Sequence, residues 1–189
     1  GSIGFGNAIM ILTIMDSLCI LKNGPEQLKK NFLPKIAAGK CKCAFAITEA
    51  DAGSNAFRIS THAKKKGDVY LLNGSKTFIT SAEFAGIFVV WAKTDKDAGA
   101  RGISAFLVEK GHPGFVVGRN EEKMGQRGSC TNEISIENCR LPRQSLLGQE
   151  GDGFKIAMMA LDGGRIGIGS LAVGLGLAAI EYATEYAKN

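Results

Sequence analysis

Residues 45–55 place hydroxyl and amide groups at the end of a predicted strand. An alternating stretch runs into a Gly/Ser/Asn loop, with Thr48 at the rim of this loop and Ser54 six residues further on. Exposed loop amides and hydroxyls in this position can bind a phosphate or the polar edge of a heteroaromatic ring. The alternative is a strand that ends in an Asx or Ser turn. On residue chemistry alone both interpretations stay open.

A second strand end has the same character. Phe78 and Thr80 are two residues apart, so they lie on one side of a strand and place an aromatic ring beside a hydroxyl. Ser81 follows directly. Two such strand ends, if they were brought together, could hold a flat ring.

Two charged residues lie three apart in a predicted helix, Asp162 and Arg165, and therefore share a face. They can form an intrahelical ion pair. Alternatively, the arginine can hold a phosphate while the aspartate accepts hydrogen bonds from an amide or hydroxyl. Near-matches to a dinucleotide-binding fingerprint occur at residues 167–172 and 174–179. They lie inside this helix and follow no strand, so we interpret them as helix packing.

The elements that must position these residues change character twice along the chain. Apolar residues recur at helical spacing over residues 8–21, and Asn23-Gly24 is expected to end this helix. A second helix is predicted from Pro25 to about residue 38, kinked or shortened by Pro34. From about residue 153 to the end the pattern is helical again. It is unusually rich in glycine, which predicts close contact with another helix or a ligand.

Between these helical parts the apolar period is two. Strands are predicted at residues 43–47, 69–72, 76–80, 86–93, 102–109, 115–117, 133–136 and 139–141. Asn73-Gly74 is interpreted as a hairpin turn, because both positions tolerate positive φ. Residues 64–68 are predicted to be solvated hairpin surface, and residues 123–129 a structural loop. The prediction is an α+β chain, in which a mostly antiparallel β-sandwich or barrel is flanked by partial helical domains.

Composition excludes several classes of protein. Hydrophobic residues make up 45 % of the 189 residues and charged residues 22 %, which is typical of a globular domain and not of a disordered chain. The formal charge of +5 is small and no basic run exceeds residues 64–66, so nucleic-acid binding is not expected. Five cysteines without a CxxC spacing fit neither a disulfide framework nor a zinc site, and indicate free thiols in a reducing, intracellular compartment. No signal peptide or membrane span is expected.

Six segments in this order resemble the acyl-CoA dehydrogenase family of flavoproteins, over essentially the whole chain. Residues 46–54 read Ala-Ile-Thr-Glu-x-x-Ala-Gly-Ser, and residues 72–80 read Leu-Asn-Gly-x-Lys-x-Phe-Ile-Thr. The other four are Gly-Ile-Ser-Ala-Phe-Leu-Val at 102–108, Lys-Met-Gly-x-Arg-Gly-Ser at 123–129, Gly-x-Gly-Phe-Lys at 151–155 and Leu-Asp-x-Gly-Arg-Ile-Gly at 161–167. The spacing is most similar to short- and branched-chain members.

The resemblance implies an α–β–α subunit and a set of site residues. Residues 1–40 would be the end of the N-terminal helical domain, 41–150 the middle β domain, and 151–189 the first helix of a C-terminal helical domain. FAD is the implied cofactor. The residues that would meet it are Phe45, Ile47, Thr48, Ser54, Phe78, Ile79 and Thr80. Ser54, Asp162 and Arg165 would contact the acyl-CoA substrate.

The implied reaction is α,β-dehydrogenation of an acyl-CoA thioester, with electron-transfer flavoprotein as electron acceptor and a homotetramer as the full-length assembly. In most of the family the base is a glutamate in the C-terminal helical domain, so no residue here is assigned as catalytic, and the isolated chain is expected to be inactive. An acyl-CoA oxidase-like flavoprotein and a non-catalytic acyl-CoA-binding module are the alternatives. The chain departs from the family at Asn55, where Asp is usual, at Arg58, where a small residue is usual, and at Phe78, which replaces a frequent Trp.

Overall fold

The computed structural model describes Gly6 and residues 15–188, in which two short helices precede eight strands and one long helix follows them. The helices are α1 (Asp16–Asn23), α2 (Glu26–Ala37) and α3 (Gly153–Lys188). The strands are β1 (Cys43–Ala46), β2 (His62–Lys66), β3 (Val69–Thr80), β4 (Ile87–Lys93), β5 (Ile103–Glu109), β6 (Phe115–Asn120), β7 (Thr131–Pro142) and β8 (Leu146–Leu147). This is the predicted α+β arrangement. The predicted start of the first helix, residues 8–14, lies outside the described residues.

The eight strands form one sheet that folds over onto itself. Its order is β6-β7-β3-β2-β4-β5-β8, and β1 pairs with β4 in parallel. Strands β4 and β6 are far apart in this order, yet the rings of Phe88 and Phe115 lie 4.8 Å apart. The sheet therefore closes around a core, as the predicted sandwich or barrel requires.

Alternation along β4 separates two buried cores. Phe88 and Val90 belong to the core enclosed by the sheet, whereas Val89 and Trp91 face the opposite way. Because successive strand side chains point to opposite faces, β4 is buried on both sides. The second core is covered by all three helices.

The prediction of a hairpin at Asn73-Gly74 is wrong. Strand β3 runs through these residues, and the hairpin joins β2 to β3 at the next turn upstream, at Gly67-Asp68. The register of β3 against β7 shifts between Leu72 and Gly74, so the pair forms an irregularity within the sheet. Gly74 has φ +149°, and a Cβ there would lie 2.4 Å from the Thr61 hydroxyl oxygen. The glycine is needed for close approach to Thr61 and not for a turn.

The same irregularity explains why β7 was predicted as two strands. Glu137 and Asn138 interrupt the pairing of β7 with β3, and Asn138 adopts φ +50°. The Asn138 amide donates to the Asn73 side-chain oxygen at 2.8 Å, which holds the two strands together across the interruption. Strand β2 was missed because most of it is a run of lysines, although its place in the hairpin was expected.

Helix α3 confirms the predicted C-terminal helix but not the expected reason for its glycines. Among the described neighbours, a Cβ at Gly163, Gly169, Gly174 or Gly176 would meet nothing within 4 Å. Gly164 differs from these four, because a Cβ there would lie 3.0 Å from the Met15 sulfur. The close contact expected for glycines in this helix is therefore present at Gly164, and at the other four it does not come from the described residues.

Pro34 lies inside α2, which continues to Ala37.

By length and composition alone α3 is apolar enough to cross a membrane, and none of its most apolar stretch is buried. No such stretch was expected from the sequence. One helix of this kind is weak evidence, because packed helices of soluble proteins meet the same criterion. It carries no assignment here.

We predict that Gly74→Ala lowers the free energy of unfolding by about 3 kcal/mol, because the methyl group has no room beside Thr61. Gly67→Ala is the matched control: Gly67 also has positive φ, but a Cβ there meets nothing within 4 Å. Backbone strain alone predicts a loss of about 1 kcal/mol for this control. Urea unfolding of both variants measures the difference, and equal losses would contradict the close-approach explanation.

Candidate functional site

The ends of β1 and β3 lie side by side. The Thr77 amide donates to the Thr48 carbonyl at 3.0 Å, and the Lys76 ammonium donates to the Ile47 carbonyl at 3.2 Å. These bonds bring together the two hydroxyl-bearing segments that the sequence analysis singled out. Thr48 and Thr80 are both half-buried at this edge.

A buried ion pair fixes this juxtaposition. The Lys76 ammonium lies 2.8 Å from the Glu49 carboxylate, and the two side chains are 0 % and 6 % exposed. The other Glu49 oxygen accepts from the Ser60 amide at 2.5 Å and the Ser60 hydroxyl at 2.7 Å, while the Thr61 amide donates to the first at 3.1 Å. Each oxygen of the carboxylate therefore accepts two hydrogen bonds, as a buried charge requires.

The pair is ionised at neutral pH. Burial disfavours the Glu49 carboxylate, but the Lys76 ammonium and the hydrogen bonds from Lys76, Thr61 and Ser60 outweigh it and lower the pKa of Glu49 to about 2. Burial lowers the pKa of Lys76 to about 8, with the Glu49 charge opposing this shift. Both groups therefore stay charged, and the charges hold the loop after β1 against β3.

The end of β3 turns one aromatic ring outward. Phe78 adopts φ +56° where the register against β7 shifts, and 64 % of its surface is exposed. Ile79 next to it is 1 % exposed and packs in the core enclosed by the sheet. Positive φ is strained for a residue with a side chain, so the anchored Ile79 holds Phe78 in an orientation it would not adopt freely. Of these two predicted residues, Ile79 can reach a ligand only through its backbone.

The end of β1 rests on a buried tryptophan. The Phe45 ring lies 4.2 Å from the Trp91 ring, and the indole N–H of Trp91 donates to the Gly153 carbonyl at 2.7 Å. Ile47 is buried in the same core. Trp91 thus connects the strand end to the first residue of α3.

The remaining predicted residues are Ser54, Asp162 and Arg165. Ser54 is exposed on the loop after β1. Asp162 and Arg165 form the intrahelical ion pair at 2.8 Å, and their side chains are 70 % and 66 % exposed. No recorded hydrogen bond or ion pair connects either of them to the strand ends within the described part of the chain.

The strand ends offer a flat ligand an exposed aromatic face and free hydrogen-bonding groups. Among the described residues no hydrogen bond is recorded for the hydroxyls of Thr48, Thr80 or Ser54. Half-buried hydroxyls without partners leave hydrogen bonds for a ligand to make. The arrangement fits a heteroaromatic ring with a polar edge, and an isoalloxazine is a ring of this kind.

The family description "acyl-CoA dehydrogenase, middle domain" matches residues 44–139. The chain belongs to the acyl-CoA dehydrogenase family. It is 46 % identical to an acyl-CoA dehydrogenase of Bacillus subtilis over 99 % of this chain and 49 % of that protein. It is 44 % identical to a subunit of the caffeyl-CoA reductase–Etf complex of Acetobacterium woodii, over 97 % of this chain and 49 % of that subunit.

The fold matches a solved member. Butyryl-CoA dehydrogenase from Megasphaera elsdenii superposes with a TM-score of 0.95 and 42 % identity, over 98 % of this chain and 49 % of that structure. The chain thus spans about half the length of the relatives it matches. This agrees with the expectation of a fragment, and the resemblance stated from the motifs is confirmed.

The role of the Glu49–Lys76 pair in positioning the site was not predicted from the sequence. Both residues stand within the motifs of the acyl-CoA dehydrogenase family, but spacing within each motif does not show that they meet. One signal was available: Leu72 and Lys76 lie an even number of residues apart on β3, so the lysine follows an inward-facing apolar position. A charge at such a position predicts a buried partner of opposite sign.

We predict that the ion pair makes folding stability depend on pH in the acid range. The folded-state pKa of Glu49 is lower than its unfolded value of 4.5, so the stabilisation is complete above about pH 4.5 and is lost as pH falls toward about 2. The shift corresponds to about 3 kcal/mol. Urea unfolding across this range measures it.

Glu49→Gln removes the titrating group and is expected to remove this component of the acid loss. Glu133→Gln changes an exposed glutamate on β7 and serves as the control, since it leaves the buried pair intact. An acid loss of the same size in Glu49→Gln and in the control would contradict the assignment.

Proposed function

We propose that the chain is part of an FAD-dependent acyl-CoA dehydrogenase that catalyses α,β-dehydrogenation of short- or branched-chain acyl-CoA thioesters. The observation that carries the proposal is the juxtaposition of the β1 and β3 ends, with free hydroxyls at Thr48 and Thr80 and the exposed ring of Phe78. The similarity to butyryl-CoA dehydrogenase supports the short-chain substrate. The proposed division remains 1–40, 41–150 and 151–189.

Thr48 and Thr80 would hold the polar groups of the flavin ring, and Phe45, Ile47, Phe78 and the backbone of Ile79 would form its surroundings. FAD held by these residues would supply the acceptor for the hydride that leaves the β carbon of the thioester. The rigid edge fixed by Lys76 and Glu49 would orient the ring, because orientation contributes much of the rate when a cofactor supplies the chemistry.

Ser54, Asp162 and Arg165 would contact the CoA part of the substrate. Arg165 is always cationic and can bind a phosphate, and Asp162 can accept hydrogen bonds from an amide or hydroxyl of the pantetheine arm. The exposed ion pair between them contributes little to folding, so either side chain is available to a ligand.

The group that removes the α proton is assigned to no residue of this chain. Glu49 does not suit this role, because it is buried and both its oxygens accept hydrogen bonds from the protein, and because the ion pair with Lys76 lowers its pKa to about 2, which makes it a weak base. A general base must reach the proton that it removes. In agreement with what the resemblance to the family implies, we propose that the base lies outside residues 1–189.

A second candidate is reduction of an α,β-unsaturated acyl-CoA at the same site. The similarity to a subunit of the caffeyl-CoA reductase–Etf complex favours it, and the same name supports electron-transfer flavoprotein as the redox partner. Assays of the full-length protein with butyryl-CoA and with an unsaturated acyl-CoA distinguish dehydrogenation from reduction.

The full-length protein is proposed to be a homotetramer in a bacterial cytoplasm or a mitochondrial matrix, where the five free cysteines would stay reduced.

The cofactor assignment is tested by titrating the chain with FAD and following the visible absorption. Thr48→Val and Thr80→Val are each expected to weaken FAD binding about tenfold, because each removes a hydrogen bond to the ligand. Thr184→Val, on the exposed end of α3, is the control. FAD affinity that is unchanged in both site variants would contradict the proposed placement.

Addition of butyryl-CoA to the FAD-loaded chain tests the position of the base. We expect the flavin to remain oxidised in this chain and to bleach in the full-length protein. Bleaching in the 189-residue chain would show that a base lies within it.

A further inference from the structure

A pocket adjoins the strand end that carries Thr80. It has a volume of about 380 Å³ and is lined by Thr80, Lys123, Gly125, Gln126, Ser129 and Thr131. This volume is within the range of small-molecule sites. Its outer wall is the loop 123–129, which the sequence analysis interpreted as structural.

One polar group in this wall has no partner. The Ser129 side chain is buried, with the residue only 3 % exposed, and no hydrogen bond to its hydroxyl is recorded in the described part of the chain. A buried hydroxyl without a partner costs about 1–3 kcal/mol. Buried polar groups in folded proteins rarely lack a hydrogen-bond partner, so this hydroxyl indicates a ligand that forms the missing hydrogen bond.

The pocket also contains a cation. The Lys123 ammonium donates to the Thr131 hydroxyl at 2.8 Å and to the Ser129 carbonyl. An ammonium has three N–H donors, so two bonds to the protein leave one for a ligand. None of the lining residues is acidic, and the charge facing the pocket is therefore positive.

The nearby acidic residues line an adjoining pocket, which shares Lys123 with the pocket beside Thr80. Glu121 and Glu122 line it together with Asn120, Lys123 and Arg127. The Arg127 guanidinium folds back onto the loop and donates to the carbonyls of Lys123 and Met124, each at 3.3 Å. Arg127 therefore braces the loop, and Lys123 remains the cation of the pocket beside Thr80.

We propose that this pocket binds a small oxyanion of the phosphate class, held by the Lys123 ammonium and the Ser129 hydroxyl. A tetrahedral oxyanion offers several acceptor oxygens, which match the donors of the Lys123 ammonium and the Ser129 hydroxyl. The anion can be free in solution or can be a phosphate of a bound nucleotide. The binding chemistry is the same for both, and it does not depend on the proposed dehydrogenase activity.

The first test is a titration of the chain with inorganic phosphate, followed by amide chemical shifts in NMR spectra. We expect saturable binding, with the shifts concentrated at residues 123–131 and at Thr80. Lys123→Met is expected to weaken binding at least about tenfold, since it removes a charge-assisted hydrogen bond. Lys66→Met removes an exposed lysine at the end of β2 and should leave binding unchanged.

Two further variants separate a binding role from a structural one. Lys123→Arg keeps the charge and is expected to retain most of the affinity, even if the loop adjusts. Ser129→Ala should weaken phosphate binding while the urea midpoint without phosphate stays the same or rises, because it removes an unpaired buried hydroxyl. Absence of saturable binding, or equal affinity in wild type and Lys123→Met, would overturn the proposal.

The source of the anion is tested by competition. If the pocket takes the phosphate of a nucleotide, FMN displaces inorganic phosphate and riboflavin does not. If it takes a free anion, phosphate still binds when the chain is saturated with FAD. Failure of the chain to bind FAD would count against the cofactor assignment and would leave the phosphate titration unaffected, so the two proposals can fail separately.

Discussion

The buried ion pair between Lys76 and Glu49 is the interaction on which the candidate site depends. Taking two charges out of water is costly, and a pair of this kind is tolerated only when the remaining hydrogen-bonding positions are satisfied. Here the backbone and hydroxyl of Ser60 and the amide of Thr61 complete the carboxylate, and the Ile47 carbonyl accepts from the ammonium. The pair therefore joins three segments of the chain, at residues 47–49, 60–61 and 76.

That arrangement limits what the end of β3 can do. Lys76 is held inward by Glu49, and Ile79 is held inward by the core, although these positions are three apart and would alternate to opposite faces in a regular strand. The register shift between them accommodates the extra residue, and Phe78 takes up the strain with its positive φ. The exposed ring is thus a consequence of two buried anchors. Its position is set before any ligand arrives, as pre-organised binding requires.

Much of the fold was predictable because burial follows the strand period. The apolar runs of β4 and β5, the Pro25 start of α2 and the helical pattern of α3 located these elements within a few residues. The errors occur where two signals compete. Asn73-Gly74 has the composition of a turn, yet its glycine serves contact with Thr61, and a long-range contact of this kind has no local signature. The lysines of β2 give no apolar alternation, so the strand was not predicted, although the hairpin pairs it with β3.

In the candidate site, too, some features were predictable from the sequence and others were not. Hydroxyls at strand ends are visible in sequence, so Thr48 and Thr80 could be named before the fold was known. The partner of a buried charge and the partner missing from Ser129 are properties of three-dimensional packing, and no spacing along the chain reveals them. Trp91 is another contact that appears only in the folded chain. Its ring packs against Phe45 at the strand end, and its indole N–H donates to the first residue of α3. Asp162 and Arg165 lie further along that helix, so this hydrogen bond is one of the contacts that tie the helix carrying the proposed CoA contacts to the sheet, together with the packing of Ile156, Ala157 and Ala160 on the second core.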